Sequence, residues 1–271
     1  MTLFPHTIGL DLGQSHDYTA VAVLEESYWL TPEQAWQMAV PGHEAAGWVF
    51  ASKLVPAQVE QARSLNFHQY GVRPPNPPLA LRHIQRFELG TSYPEIVERV
   101  AAMRAMPPLS VGRSELVVDE TGVGRPVVDM LTQAGQRRTP VTITGGFTVK
   151  YDDGDRSYTV PKRDLVSTMS VLLEQRRLLI PPSLPLADLL TRELAAFKRT
   201  VTPAGSDSYA AGREGAHDDL VLAVALAAWY RDYLHAHIEQ AHAEEYGAAA
   251  ARAERAERMQ WPVGHPRRGG V

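Results

Sequence analysis

"HTIGLDLGQSHDYTAVAVLEES", residues 6–27, decides how the rest of the chain is read. Its two halves, "HTIGLDLGQ" and "YTAVAVLEES", are rich in Ile, Leu, Val and Ala, and a short polar stretch, Gln14 to Asp17, separates them. That is the pattern of two strands joined by a tight turn. One residue breaks it. Asp11 lies between Leu10 and Leu12 in an otherwise apolar strand, where Asp is disfavoured and desolvating an unpaired carboxylate costs several kcal/mol. Either the turn amides at Gly13 to Ser15 compensate it, or something outside the strand does.

Working outward, residues 31–78 interrupt the strand pattern. "TPEQAWQMAV" and "VPAQVEQARSLNF" open like helices with Pro near the first turn, and the segment closes on "GVRPPNPP", a stiff polyproline-like connector. This segment, which carries Trp36 and Trp48 and follows Trp29, reads as an insertion or lid. "LALRHIQRFEL" is a third strand and "YPEIVERVAAMRAM" an amphipathic helix. "SELVVDETGVGRP" runs from a buried-type strand into a glycine-rich turn, with Pro126 opening a helix to about Ala134; "TPVTITGG" is a further strand. Asp153-Gly154 signals a hairpin with arms Phe147–Tyr151 and Ser157–Val160, and a helix from about Lys162 to Arg177 follows. "LADLLTRELAAFKRTVT" is another helix, "PAGSDSYAAGREGA" a polar loop, and "HDDLVLAVALAAWY" an acid-headed, almost wholly apolar helix. Residues 1–245 are expected to form one domain, and 246–271 a polar helical extension and tail.

The bulk composition narrows the chemistry. At 271 residues and 44% hydrophobic, the chain can bury one large α/β core. It has no cysteine, which excludes disulfides and thiolate metal sites and leaves oxygen or imidazole donors. No stretch approaches the roughly 20 apolar residues of a membrane span, and "MTLFPHTIGLDLG" has no basic leader, so a cytoplasmic location is expected. The net charge of −4 confines any nucleic-acid contact to local basic patches.

Three further carboxylates stand out. Asp119 ends "ELVVD" at its carboxyl end, the place where open α/β sheets bind ligands. Asp218 and Asp219 head the last apolar helix. One Asp suffices to cap a helix, and consecutive helical residues point about 100° apart, so the second must look elsewhere. In a sheet ordered 3-2-1-4-5, the first and fourth strands are neighbours and Asp11 would face Asp119 across about 5 Å. Clustered carboxylates take up protons unless a cation neutralises them, and all-oxygen ligation suits Mg²⁺ or Mn²⁺. Two such ions about 3.5 to 4 Å apart form the clamp for phosphodiester hydrolysis.

With "GLDLGQSHDYTAVAV" (9–23), "VVDETGVGRPVVDML" (117–131), "TGGFTVKYDDGDRSYTVPKRDLVSTM" (144–169) and "GREGAHDDLVLAVALA" (212–227) in view, the chain resembles the RNase H-like nucleases, and among them the nuclease domain of the phage terminase large subunit. The resemblance implies a mixed five-stranded sheet ordered 3-2-1-4-5, flanked by helices, with an auxiliary β-hairpin at 147–160 that touches DNA. It implies an endodeoxyribonuclease that binds two Mg²⁺ or Mn²⁺ ions through Asp11, Asp119, Asp218 and Asp219, leaving 3′-hydroxyl and 5′-phosphate ends. Asp17 and Glu120 are the implied neighbours of these ligands; His217 reads as a helix-capping residue or a neighbour of the ligands, with ligand or general base as the other reading. The implied partners are double-stranded DNA and a separate packaging ATPase, portal or small terminase subunit, with no membrane. Large terminases also carry a packaging ATPase with a GxxxxGK[ST] loop, which this sequence lacks; "TGVGRP" reads as a strand-to-helix turn.

The same carboxylates occur in Holliday-junction resolvases and transposases, which would change the substrate and keep the chemistry. The first hairpin also resembles that of sugar-kinase and actin-like ATPases, which need two such domains. For DNA contacts, Lys150, Arg156, Lys162, Arg163 and Arg213, with Lys198 and Arg199, fall in or near the hairpin and loops expected to rim the metal site.

Overall fold

The computed structural model describes residues 5–13, 17–30, 32–38, 40, 47–55, 57–59, 61–62, 77–112, 114–122, 125–200, 218–234 and 236–237. Its centre is an eight-stranded sheet built from β1 (His6–Asp11), β2 (Ala20–Glu25), β5 (Leu79–Arg86), β6 (Ser114–Asp119), β7 (Thr139–Thr144), β8 (Lys150–Asp152), β9 (Ser157–Pro161) and β10 (Leu178–Leu179). The order is β10-β5-β2-β1-β6-β7-β9-β8. Two further strands, β3 (Ser27–Leu30) and β4 (Gly47–Phe50), pair antiparallel in a sheet of their own.

The five strands read from sequence appear in the order 3-2-1-4-5, here β5-β2-β1-β6-β7. β2 is antiparallel to both β1 and β5, whereas β6 is parallel to β1 and β7 parallel to β6, so the sheet is mixed. All six residues of β1, β2 and β6 are buried, as apolar runs covered on both faces must be. On one face lie α2 (Tyr93–Ala105) and α4 (Arg125–Gln133), after the short helices α1 (Pro32–Gln37) and α3 (Leu109–Gly112) in chain order. Their Ile96, Val97, Val100, Val127 and Leu131 close over Ile8, Leu10, Val21, Val23, Leu116 and Val118 in one buried cluster.

The ends of these helices follow from local chemistry. Ser92 caps α2, its hydroxyl accepting from the Glu95 amide at 3.4 Å, with Pro94 in the first turn. α4 stops at Gly135, whose φ of +71° carries a paired closure: Gly135 N–H to Thr132 O and Gln136 N–H to Leu131 O, both bonds under 3 Å. The helix expected to reach Arg177 is α5 (Lys162–Glu174). It ends early because Arg176 turns left-handed at φ +54° and the Arg177 amide closes back on Leu172 O at 2.8 Å.

After α6 (Ala187–Thr200) comes α7, residues 219–234, which packs against β1 on the sheet face opposite α2. The approach is close: a Cβ added to Gly9 would lie 1.9 Å from the Ala223 carbonyl oxygen. Leu220, Val221, Ala223, Val224, Ala225, Leu226, Ala227 and Ala228 are fully buried, as an all-round apolar helix demands.

The structure adds detail to two expectations. The auxiliary hairpin joins the main sheet: β9 pairs parallel with β7, with β8 antiparallel outside it. β9 can do this because Tyr158 and Val160 alternate inward and complete the edge that β7 would otherwise leave open. The inserted segment begins at Ser27, earlier than position 31, and contains strand pairing as well as helix. Tyr28, Leu30, Met38, Val40, Val49, Ala51, Leu54 and Ala62 give it a small core of its own. Trp36 is exposed, while the Trp29 and Trp48 side chains lie outside the described set. By compactness, residues Thr2–Asp232 form one unit and Met1 with Tyr233–Val271 another; the expected boundary at 245 falls outside the described residues. Among the described residues, no helix is long and apolar enough to cross a membrane.

Candidate functional site

Parallel pairing builds the site. The register that sets Leu10 opposite Val118 brings Asp11 level with Asp119 at the carboxyl ends of β1 and β6. Both are buried, and the charge of Asp119 acts on Asp11. The turn amides do not supply Asp11's compensation at Gly13: that N–H goes to Thr19 Oγ1 at 3.1 Å, while the Gly13 carbonyl accepts from Tyr93 Oη. Asp119 is steadied from the other side, its Oδ1 accepting the Thr121 amide at 2.7 Å.

α7 brings in the other two carboxylates. Asp218 stands just before the helix, its carbonyl accepting the Leu222 amide at 2.8 Å, so its backbone fills the cap position. Its side chain is half-exposed and reaches Lys162 Nζ at 3.4 Å. Asp219, one residue on, is buried. It receives a two-pronged contact from Arg86 at the end of β5: Nε to Oδ2 at 2.6 Å and Nη2 to Oδ1 at 3.0 Å. Arg86 also bonds Glu193 of α6 and lies 4.8 Å above the Tyr18 ring. Burial works against its positive charge, but the two carboxylates outweigh it and keep the guanidinium firmly protonated.

The electrostatics of the pair follow. Burial first, then the negative charges of Asp119, Asp218 and Asp219, push the Asp11 carboxyl well above the usual carboxylate range. Burial raises Asp119 as well, while the Thr121 hydrogen bonds pull the other way. Both carboxyls therefore hold their protons to higher pH than isolated aspartates, Asp11 most of all. The donors are all oxygen, which suits a hard divalent cation. As the side chains stand, no group of three or more Asp, Glu or His among the described residues converges to hold a metal.

Beside Asp119 opens a cleft of about 320 Å³, lined by Thr121, Thr144, Gly145, Phe147, Lys162 and Arg163 among others. No family model and no curated protein matches the chain. Among solved structures, two crystal structures of the large terminase nuclease from thermophilic phage G20c align with it, one of them with bound zinc. The TM-scores are 0.43 and 0.41 at 19% and 17% identity, over 83% of this chain and 81% and 80% of those chains. The chain is similar to these phage terminase nucleases.

Of the residues singled out in the sequence, Asp11 and Asp119 stand level on adjacent strand ends, and Asp218 and Asp219 at the head of α7 are near enough for their charges to act on Asp11. Asp17 is exposed on the connection after β1. Glu120 turns to β7, its Oε1 accepting from Thr142 Oγ1 at 2.9 Å. Lys162 and Arg163 border the cleft, while Lys150 and Arg156 are exposed on the hairpin. Arg213 and His217 lie outside the described residues, as do the Lys198 and Arg199 side chains. Sequence reasoning missed Arg86, Glu193 and Phe147: a charge at a strand end, one on a helix and an aromatic in a loop carry no local signal of what they meet.

Proposed function

We propose that the protein is a divalent-metal-dependent endonuclease that hydrolyses DNA phosphodiesters at the carboxylates of β1, β6 and α7. The observation that supports this most directly is the buried Asp11–Asp119 pair at adjacent strand ends, with Asp218 and Asp219 near enough to add their negative charge to Asp11. Asp11, Asp119 and Asp218 would hold the cations, Mg²⁺ or Mn²⁺; bound there, two such ions would activate the attacking water and stabilise the leaving 3′ oxygen. Asp219 supports the site from outside, because both its oxygens already face Arg86.

The remaining steps belong to the side chains. Deprotonated, Asp11 and Asp119 would present their oxygens as ligands. Lys162, relieved of Asp218, becomes available to a substrate phosphate, and Arg163 lies next to it on the cleft wall. Burial of Asp11 and Asp119 limits competition from bulk water. By its sequence resemblance, the enzyme cuts double-stranded viral or prophage DNA for packaging.

Supercoiled-plasmid cleavage with Mg²⁺, Mn²⁺, Ca²⁺ or EDTA tests this, comparing the wild type with Asp11→Asn and Asp119→Asn, each checked for folding. Nicking and linearisation are expected with Mn²⁺ or Mg²⁺ alone, leaving ends that a ligase rejoins, and neither folded variant should cut. Cleavage that persists in EDTA or in both variants would sink the proposal.

A further inference from the structure

Phe147 is 69% exposed, an unusual position for a phenylalanine. It is nonetheless held in place. The Arg163 guanidinium lies 4.4 Å from its ring centroid, and the same group donates to the Phe147 carbonyl at 2.6 Å. One arginine thus anchors both the ring and its backbone. The ring lines the cleft that also contains Asp119 and Lys162. Gly145 leaves the approach open: a Cβ there would meet nothing within 4 Å.

We infer that this cleft is a subsite for one unstacked nucleotide of the DNA strand to be cut, its base lying on the Phe147 ring and its phosphate held by Lys162 and Arg163 next to Asp119. The inference rests on the nuclease proposal and narrows its substrate class. Three features support it. A fixed, solvent-facing aromatic ring backed by a cation is a stacking surface for a base of any sequence. A volume of about 320 Å³ admits a single nucleotide-sized group but not a stacked base pair. Lys162 and Arg163 line the same cleft as the Asp119 carboxylate, and both are phosphate-binding side chains. In an intact duplex both faces of each base are covered by neighbours, so a base reaches the ring only by leaving the stack, which costs least where it is mismatched or unpaired. The enzyme should therefore favour DNA with a locally unpaired stretch over fully paired duplex.

The test is fluorescence anisotropy of the full chain, in EDTA, with end-labelled duplexes of equal length, one fully paired and one with a short unpaired bulge. Cleavage of both duplexes is then mapped in Mn²⁺. The wild type should bind the bulged duplex about fivefold or more tightly than the paired one, and cleavage should fall at the bulge. Phe147→Ala and Phe147→Leu should bring the binding ratio close to one, and Phe147→Trp should keep it. Equal binding of the two duplexes by the wild type, or a preference that survives in Phe147→Ala, overturns the subsite and leaves the nuclease proposal standing. Failure to bind either DNA in EDTA overturns the subsite, and failure to cleave either in Mn²⁺ overturns the nuclease proposal with it.

Discussion

Arg86 carries more of this site than any sequence position would suggest, because it is the cation between two buried carboxylates, Asp219 and Glu193. Replacing it by Leu strands both charges, and breaking buried pairs in this way costs about 3 to 5 kcal/mol. Urea denaturation should show that loss. Arg86→Lys should recover only part, since an ammonium cannot reproduce the fork that meets both oxygens of Asp219; full recovery would mean the geometry does not matter. Asp11 gives a pH signature. Its folded carboxyl is raised above its unfolded value, so the folded state holds the proton to higher pH. The associated stability is fully present below about pH 4 and drains away as pH rises through the folded value. Asp11→Asn cannot ionise. In EDTA the variant should therefore gain stability over the wild type as pH rises from 5 to 8, and a gap that stays flat with pH would contradict the assignment.

The contact between α7 and β1 is what brings the Asp pair to the strand ends. Gly9 sits at that contact, with the Ala223 carbonyl oxygen where a Cβ would go. Backbone cannot swing aside as a long side chain can, so Gly9→Ala must push the helix off the sheet. A stability loss of about 1 to 3 kcal/mol or more is expected, together with loss of Mn²⁺-dependent cleavage because Asp218 and Asp219 move with the helix. Wild-type melting in this variant would show that the helix is free to shift. The strands themselves were legible in the sequence: β1, β2 and β6 are short apolar runs bounded by turn residues, and Asp11 and Asp119 were conspicuous as charges inside them. The fate of the hairpin was not. Its arms show β-propensity and an Asp-Gly turn, but whether β9 adds to β7 or stands apart depends on an edge contributed by residues 17 positions earlier.

Taken across the chain, the mixed sheet and its central order were implied by the resemblance to RNase H-like nucleases, while local pattern determined the elements and the four carboxylates that had no good reason to be where they were. Those follow from short-range physics: alternation, turn chemistry and the cost of burying charge all act within a few residues and can be read in a line. Tertiary structure alone decided which of the paired aspartates is tied to Arg86 and which faces Lys162, that Glu193 belongs to the same network, that Glu120 turns to β7, and that Phe147 shares a cleft with Asp119. Arg86 and Asp219 are 133 positions apart. An ion pair of that span exists only after β5, β1 and α7 have packed, because neither partner's sequence surroundings distinguish it from a solvated surface charge.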